Sequence, residues 1–333
     1  METELGPISQ EGRHSPECRS LPEFFNTMKK QNSSKDLLSA IGNTPLVRVP
    51  FNTKAQIFAK LEYLNPGGSI KDRSALFMIE EAEKKGLLKS GGTIIESSSG
   101  NQGVACAMIG AMKGYKVIIT ASPTMSEEKI KTIKAYGAKV IICPAVSILD
   151  PKSRHNQAKK LIKKIPNSFM PDQYFNLSNP KAHYSSLGPE IWRQTKGKIT
   201  HFFAAAGTGG AISGAGKFLK EKNPKIKIMA VDIDTSFHST NGHPKPYKME
   251  GIGIDFQTDC LNESVIDKFF PVSDKHGLGM LPIMASKYGL LVGTGSGAVS
   301  YAVQSYLNKL KKGDIVVMLF GDSGRAYLSK NYY

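Results

Sequence analysis

A lysine beside a glycine-rich turn is the first candidate for chemistry in this sequence. Lys71 follows Gly67 and Gly68 and precedes apolar residues at helical spacing, so it is predicted to begin a helix. A cation at a helix N-terminus opposes the helix macrodipole by about 0.3–1 kcal/mol, and the same field lowers the pKa of an amine. Because a neutral amine attacks carbonyl carbons, Lys71 is a candidate catalytic amine.

Two further loops carry groups that suit anions. Residues 97–103 supply serine hydroxyls, an asparagine amide and closely spaced backbone donors at a helix start, a combination that suits an amino-acid carboxylate. Residues 207–210 read Gly-Thr-Gly-Gly between an apolar strand and a helix, so successive amides can converge on a phosphate. Neither a Walker loop nor the full Rossmann spacing is present, and by itself this second loop does not identify a cofactor.

The elements that must position these loops alternate between strands and helices. Strands are predicted at residues 46–49, 57–61, 93–95, 116–119, 140–142, 200–205, 226–231 and 315–320, with helices between most of them. Repeated strand–helix units predict parallel sheets covered on both faces. Both glycine loops follow strand ends, where open α/β sheets bind ligands. The fold class predicted is therefore α/β, with two doubly wound open domains and a cleft between them.

Four segments together resemble one enzyme family. They are residues 67–73 (GGSIKDR), 97–103 (SSSGNQG), 207–210 (GTGG) and 247–256 (YKMEGIGIDF). In this order they resemble the fold-type-II enzymes that use pyridoxal 5'-phosphate (PLP), specifically the cysteine synthases and cystathionine β-synthases. The likeness runs from about Leu37 to Tyr327, and the last of the four segments is typical of cystathionine β-synthases.

The resemblance implies a tryptophan synthase β-like arrangement with the cofactor in the cleft. The larger C-terminal domain would comprise residues 35–61 and 175–333, and the smaller N-terminal domain residues 62–174. Residues 1–34 are polar without periodicity, which predicts a disordered arm, and haem held by His14 and Cys18 is not favoured. The chain stops soon after the family's closing motif, so we expect no C-terminal regulatory domain and no nucleoside control. A homodimer is also implied.

The resemblance also implies roles for particular residues. Lys71 would hold PLP as an internal aldimine and act as a base, and Asn101 would hydrogen-bond the ring hydroxyl. The remaining cofactor contacts would come from the phosphate loop and from the region of the pyridine nitrogen, namely Gly207, Thr208, Gly209, Gly210, Ala211, Gly295 and Ser296. Substrate and acceptor would contact Ser98, Ser99, Gly100, Gln102, Gln173, Tyr174, Gly251 and Asp255.

Several of these positions depart from the family pattern. Threonine is usual where Ser98, Gln102 and Ala211 stand, and serine is expected at Gly295. A single neutral hydrogen bond contributes about 0.5–1.5 kcal/mol, roughly tenfold or less in affinity. PLP binding is therefore expected to survive, whereas the effect of Ala211 and Gly295 on turnover is left open.

The function implied is PLP-dependent β-replacement on serine or an activated serine through an aminoacrylate. Addition of homocysteine would give cystathionine, the preferred product. The alternatives are a cysteine synthase that uses O-acetylserine and sulfide, a related aminoacrylate-forming synthase, and a degenerate PLP-binding protein, to which Ala211 and Gly295 point. A serine or threonine dehydratase is less favoured, because residues 71–73 and 250–256 resemble the synthase branch. Donor and acceptor stay open.

Composition limits the possible partners. The net charge of +16 comes from 44 Lys and Arg against 28 Asp and Glu, but the lysines are spread over predicted helix faces. They include Lys84, Lys85, Lys129, Lys131, Lys159, Lys160, Lys163 and Lys164. Without a nucleic-acid fold signature, this pattern predicts a solvated basic surface and no nucleic-acid partner.

Four cysteines are too widely separated to predict a metal site or a disulfide framework. They are Cys18, Cys106, Cys143 and Cys260. No apolar run reaches the length of a membrane span, and the N-terminus is acidic where a signal peptide would be basic. We therefore expect a cytoplasmic protein with reduced thiols, no metal and no membrane association.

Overall fold

Two sheets of different size organise the chain. The computed structural model describes residues 36–98 and 100–333. The strands in this part are β1 (Leu46–Arg48), β2 (Gln56–Leu61), β3 (Thr93–Ser97), β4 (Lys116–Ala121), β5 (Lys139–Ile142), β6 (Ser168–Phe169), β7 (His201–Ala205), β8 (Lys227–Ile233), β9 (Lys268–Val272) and β10 (Ile315–Phe320). The predicted arm at residues 1–34 lies outside the described residues, as does the predicted substrate residue Ser99. The same holds for His14 and Cys18, the pair considered for haem.

The α-helices alternate with most of these strands. In chain order they are α1 (Lys71–Lys84), α2 (Asn101–Lys113), α3 (Glu127–Ala135), α4 (Arg154–Lys164), α5 (Ser178–Ser185), α6 (Leu187–Gln194), α7 (Gly210–Lys222), α8 (Asp274–Tyr288) and α9 (Thr294–Tyr306). None of the helices in residues 36–98 and 100–333 combines the length and apolar character needed to cross a membrane.

The larger sheet has the strand order β1-β2-β10-β7-β8-β9. Only β1 runs antiparallel to its neighbour among the pairs of this sheet. In the register, Met318 of β10 lies between Ala59 of β2 and Phe203 of β7. All three side chains are fully buried, as expected for central strands of a sheet covered by helices on both faces.

The smaller sheet has the order β5-β4-β3-β6, and all its pairs are parallel. Every residue of β3 is buried, and α4 packs on β3 and β4. The predicted α/β fold class with two open sheets is confirmed. β1 and β2 join the later strands in the larger sheet, while the exact domain boundaries at residues 61/62 and 174/175 stay a prediction.

Several short elements were absent from the predicted pattern. β6 is only two residues long, and α5 and α6 are short helices. β9 contains Pro271 and lies at the edge of the larger sheet, where a proline does not remove a ladder hydrogen bond from a central strand. Weak local signals of this kind become strands and helices because the longer elements around them provide a surface on which to pack.

Candidate active site

The turn before Lys71 is anchored to the end of a central strand. The Ile70 N–H donates to the Gly321 carbonyl at 2.8 Å, immediately after β10. The Gly67 N–H donates to Asp72 Oδ2 at 2.6 Å, and a Cβ on Gly67 would overlap the same carboxylate. Lys71 therefore begins α1 at the carboxyl edge of the larger sheet, with its backbone fixed from both sides.

A buried charge network holds the first turn of α1. Arg73 lies 2.7 Å from both Glu62 and Glu190, and Lys60 Nζ lies 2.7 Å from Glu190 Oε2. Burial alone would raise the pKa of Glu190, but hydrogen bonds and charge from Arg73 and Lys60 outweigh it and lower the pKa to about 2. Two cations and two carboxylates thus compensate each other in a buried position, which buried charges require.

The Lys71 amine itself is electrostatically unusual. Within the described residues, its Nζ takes part in no hydrogen bond and no ion pair. Burial lowers its pKa, and the opposing effects of Cys260, Asp322 and Glu96 are smaller. Because desolvation favours the neutral form of an amine, Lys71 is better suited to bond formation and proton transfer than a solvated lysine is.

The loop at 207–210 forms a backbone cradle. Gly209 is the N-cap of α7, with φ +85° and no side-chain cap bond. A Cβ on Gly209 would lie 2.6 Å from Leu261 Cα, and one on Gly210 would overlap the Asn179 amide. Only glycine fits both positions. The Gly210 N–H donates a long hydrogen bond to Thr208 Oγ1 at 3.3 Å, so the cradle combines the first amides of α7 with the Thr208 hydroxyl, groups that suit an anion.

The loop at 97–103 is held by its own hydroxyl and by neighbouring amides. Ser98 Oγ accepts hydrogen bonds from the Gly100 and Gly103 N–H groups, each at 3.0 Å. Gln173 Nε2 donates to the Ser97 carbonyl at 3.2 Å, and Asn101 Nδ2 donates to Asp322 Oδ2 at 2.7 Å. The Ser98 hydroxyl therefore shapes the loop, which presents the N-terminus of α2 to the cleft.

Most of the predicted site residues surround one cavity, the lysine cavity. Its lining includes Lys71, Ser98, Gly100, Asn101, Gln102, Gln173, Tyr174, Gly207, Thr208 and Gly251. Gly209, Gly210, Ala211, Gly295 and Ser296 are not part of that lining, although a Cβ on Gly295 would lie 4.0 Å from the Gly251 carbonyl. The individual roles assigned to these residues stay predictions.

The expectation that Lys129 lies on a solvated helix face was wrong. Its side chain is only 3% exposed and pairs with Glu250 at 2.9 Å, and its Nζ lies 3.9 Å above the Tyr327 ring. Both Lys129 and Glu250 line the lysine cavity. A signal was available in the sequence, because the first turn of a helix that follows a parallel strand faces the ligand-binding edge of the sheet.

Glu96 is a second residue that sequence reasoning missed. It is fully buried at the end of β3, and its carboxylate accepts the Ser97 N–H at 2.8 Å. Burial raises its pKa, helped by Asp172, and the hydrogen bond from the Ser97 N–H opposes the rise. Its Oε2 has no hydrogen-bond partner among the described residues. Glu96 therefore holds the start of the 97–103 loop through Ser97.

A second cavity, the acceptor cavity, adjoins the first. It has a volume of about 730 Å³ and is lined by residues 244–256, Arg154 and Tyr174, among others. Tyr174, Glu250, Gly251, Gly253 and Ile254 border both cavities. The Tyr174 ring packs edge-on against Phe256 with 4.9 Å between centroids. The two cavities therefore adjoin at Tyr174 and at the 250–254 segment.

The residues present fit PLP. A lysine amine without a partner suits an aldehyde, and the glycine cradle at the start of α7 suits a phosphate. Asn179 Oδ1 beside that cradle is buried without a hydrogen-bond partner among the described residues. By contrast, no group of three or more His, Cys, Asp or Glu in the described part of the chain could hold a metal ion.

This fold and site define a PLP-dependent enzyme of fold type II. The sequence pattern of the family described as "Pyridoxal-phosphate dependent enzyme" matches residues 37–322. The chain therefore belongs to this family, whose members use PLP as cofactor.

Individual relatives point to the synthase branch. The chain is 45% identical over 306 residues to the cystathionine beta-synthase of Apis mellifera, covering 89% of this chain and 60% of the relative. It is 39% identical over 307 residues to the cysteine synthase of Staphylococcus aureus, covering 91% of this chain and 98% of the synthase. The structure also resembles the crystal structure of the O-acetylserine dependent cystathionine beta-synthase from Helicobacter pylori. The TM-score is 0.84 at 36% sequence identity, and the match covers 90% of this chain and 98% of the Helicobacter chain. The chain thus spans less than two thirds of the length of the Apis enzyme.

Proposed function

We propose that this protein catalyses β-replacement on serine or an activated serine, with homocysteine as the preferred acceptor and cystathionine as the product. The observation that carries the proposal is the acceptor cavity, which joins the lysine cavity at Tyr174 and carries the carboxylate of Asp255. An amino-acid thiol needs room and a partner for its ammonium group, whereas sulfide needs neither. The similarity to cystathionine beta-synthases supports the same choice.

The chemistry at the α-carbon falls to the Lys71 amine. When bound, PLP withdraws electrons from the bonds at the substrate's α-carbon. Nζ of Lys71 takes the α-proton as a general base, and the β-substituent leaves as water from serine or as acetate from O-acetylserine. After the thiol sulfur has bonded to the β-carbon, Nζ returns a proton to the α-carbon. Burial, which lowers the pKa of this amine, increases the fraction of Lys71 that is neutral and able to accept the proton.

The remaining residues bind and orient. Backbone amides of residues 207–210 hold the phosphate, and the loop at 97–103 receives the carboxylate of the amino-acid substrate. Glu96 and Gln173 keep that loop in place through their contacts to its backbone. Glu250, Gly251, Gly253 and Ile254 border both cavities, and the segment they form separates the amino-acid substrate from the incoming thiol.

A cysteine synthase is the second candidate. The chain covers 98% of the Staphylococcus aureus cysteine synthase, and the Helicobacter pylori relative is named for its dependence on O-acetylserine. These two facts favour an activated serine as donor and allow sulfide as acceptor. A related synthase with another acceptor and a degenerate PLP-binding protein are the further alternatives, the latter because Ala211 and Gly295 lack the family hydroxyls.

The deciding experiment offers four substrate pairs to the purified PLP-loaded protein. Serine and O-acetylserine are each incubated with homocysteine and with sulfide, and products are identified by mass spectrometry. We expect cystathionine to form faster than cysteine. Cysteine formed only from O-acetylserine and sulfide would support the cysteine synthase, and absence of product from every pair would support the degenerate binder.

Assembly, location and domain limits belong to the same proposal. We propose a homodimer on the basis of the family resemblance, and the cytoplasm on the basis of widely separated cysteines. The sheet membership of β1 and β2 supports a larger domain that combines residues 35–61 with 175–333. Sedimentation of the purified protein tests the dimer directly.

A further inference from the structure

Arg154 presents unsatisfied hydrogen-bond donors to the acceptor cavity. It is the first residue of α4, and its backbone carbonyl accepts a hydrogen bond from Thr120 Oγ1 at 2.8 Å, so its position is fixed. Its Nε is buried without a partner among the described residues. Nη2 makes one long hydrogen bond, 3.4 Å to the Tyr174 hydroxyl. A guanidinium has five donors, so most of its binding capacity is free.

Asp255 provides the opposite charge in the same cavity. It is exposed along the acceptor cavity and takes part in no hydrogen bond or ion pair with any described residue. Burial alone would lower the pKa of Arg154, but Tyr174 and Asp255 outweigh burial and raise it. The two charges therefore influence each other across the cavity without approaching closely enough to form a salt bridge.

Other cations near this cavity are engaged or solvated. Lys330 lies 3.6 Å from Glu250 and donates to the Thr124 carbonyl at 2.9 Å. Lys245 and Lys248 are exposed. Among the cations that line the described cavity, Arg154 thus combines a buried donor with the absence of an acidic partner.

An amino acid carries a carboxylate and an ammonium group on one carbon. These two groups complement the positive charge of Arg154 and the negative charge of Asp255 in the acceptor cavity. We propose that Arg154 binds the α-carboxylate of the acceptor amino acid and Asp255 its ammonium group. The planar guanidinium suits a carboxylate, because it can donate two parallel hydrogen bonds. Tyr174, which borders both cavities, then lies between the bound α-carbon and the Lys71 amine. This assignment rests on the proposed β-replacement and specifies which thiols it accepts.

The test uses acceptors from which one charged group at a time has been removed. Wild type and Arg154→Gln are assayed with homocysteine, 3-mercaptopropylamine (no carboxylate), 4-mercaptobutanoate (no ammonium) and sulfide. Loss of a charge-assisted contact should raise the KM of Arg154→Gln about 10- to 100-fold for homocysteine and for 4-mercaptobutanoate. Turnover with 3-mercaptopropylamine and with sulfide should be unchanged. Lys164→Gln, an exposed position at the end of α4, is the matched control.

Asp255→Asn should show the complementary pattern, with a raised KM for homocysteine and 3-mercaptopropylamine only. An equal effect of Arg154→Gln on sulfide and homocysteine would overturn the subsite and leave β-replacement intact. If wild type forms no product with any acceptor, the proposed function fails. Calorimetric binding of 4-mercaptobutanoate then decides the subsite on its own, because binding by wild type that Arg154→Gln loses supports it and equal binding overturns it.

Discussion

Two charged regions flank the cleft, and they differ in whether their charged side chains are paired with each other. Around the first turn of α1, Lys60, Glu62, Arg73 and Glu190 are buried and bonded to one another. In the acceptor cavity, Arg154 and Asp255 have no ion-pair partner among the described residues. Paired buried charges fix geometry, because any displacement exposes an uncompensated charge. Unpaired charges that face a cavity are instead available to a ligand.

The largest expected effect is at the point that the paired region supports. Lys71→Ala should lose the visible absorbance of lysine-bound PLP and at least about 100-fold in β-replacement rate, since a positioned base contributes roughly 10²–10⁴-fold. Absorbance spectra and steady-state kinetics measure both. Lys84→Ala, at the exposed end of the same helix, should retain them. PLP bound covalently to another lysine in the variant would contradict the assignment.

Breaking the paired network should mainly reduce stability. Arg73→Leu leaves Glu62 and Glu190 without their shared cation, and removal of one partner from a buried pair costs about 3–5 kcal/mol. Urea unfolding measures the loss. The control is Lys131→Ala, which removes an ion pair to Glu127 between side chains that are 73% and 63% exposed. Solvent screening leaves such a pair little effect on stability. Similar losses in both variants would show that the network does not support the fold.

Acid should affect the two regions in different pH ranges. The Glu190 pKa is lowered to about 2, so its stabilising effect is lost as pH falls from about 4.5 to 2. His155, next to Arg154, is 4% exposed, and neither of its ring nitrogens has a hydrogen-bond partner among the described residues. Burial, helped by Lys159 and Arg154, lowers its pKa to about 4. Between about pH 6.5 and 4 the unfolded state binds more protons at this residue than the folded state does. The free energy of unfolding therefore decreases as the pH is lowered through this range.

His155→Phe should remove that earlier loss, on the order of 2 kcal/mol between pH 6.5 and 4. The measurement is the unfolding free energy of both proteins across this range. Asp172, 3.8 Å from His155, has a pKa raised to about 6, so its protonation favours the folded state as the pH is lowered. Both proteins contain Asp172, and the difference between the wild-type and His155→Phe curves is therefore the decisive quantity. Parallel curves would show that His155 is not the group responsible.

The paired region shows how far a sequence can be interpreted. Local patterns predicted α1, the strand–helix alternation and the two glycine loops, because periodicity and glycine placement are encoded within a few neighbouring residues. The pairing of Arg73 with Glu62 and Glu190, and of Lys60 with Glu190, could not be assigned in advance. These residues meet only through the packing of β2, α1 and α6. Ion pairs between distant segments leave no local signal.

Lys129 and Arg154 illustrate the same limit in the cleft. On charge alone each resembles a solvated helix residue, yet both line cavities because α3 and α4 begin at the edge of the smaller sheet. A helix that follows a parallel strand begins at the ligand-binding edge of the sheet, which is a signal in the sequence. Strand order determines which of these helix starts reach a cavity, and that order became known only with the structure. Ser98 was expected to contact substrate, and its observed hydrogen bonds to Gly100 and Gly103 show a loop-shaping contribution that spacing could not predict.

The Lys129–Glu250 pair is an intermediate case between the two regions, because it is paired but lines the lysine cavity. Lys129→Met and Glu250→Gln should each lower kcat/KM about tenfold, or about 1.4 kcal/mol. The double variant should lose less than the sum, with a coupling of about 0.5–1.4 kcal/mol. Kinetics of the four proteins form the cycle. Strictly additive losses would mean that the pair does not position the 250–254 segment.

The smallest expected effect concerns the hydroxyl that Gly295 lacks. A Cβ at this position would lie 3.4 Å from Ala205 Cβ and 3.9 Å from Ile252 Cβ, ordinary contacts that leave space for serine. One neutral hydrogen bond contributes about 0.5–1.5 kcal/mol, so Gly295→Ser should raise PLP affinity or turnover by roughly tenfold or less.

Gly297→Ser is the control. A Cβ at this position would lie 2.5 Å from the Gly277 carbonyl, so the substitution should reduce stability instead. Spectroscopic titration with PLP and kcat measure the gain. If neither changes in Gly295→Ser, another donor already serves the cofactor, and Ser296, whose buried Oγ has no partner among the described residues, is the residue to substitute next.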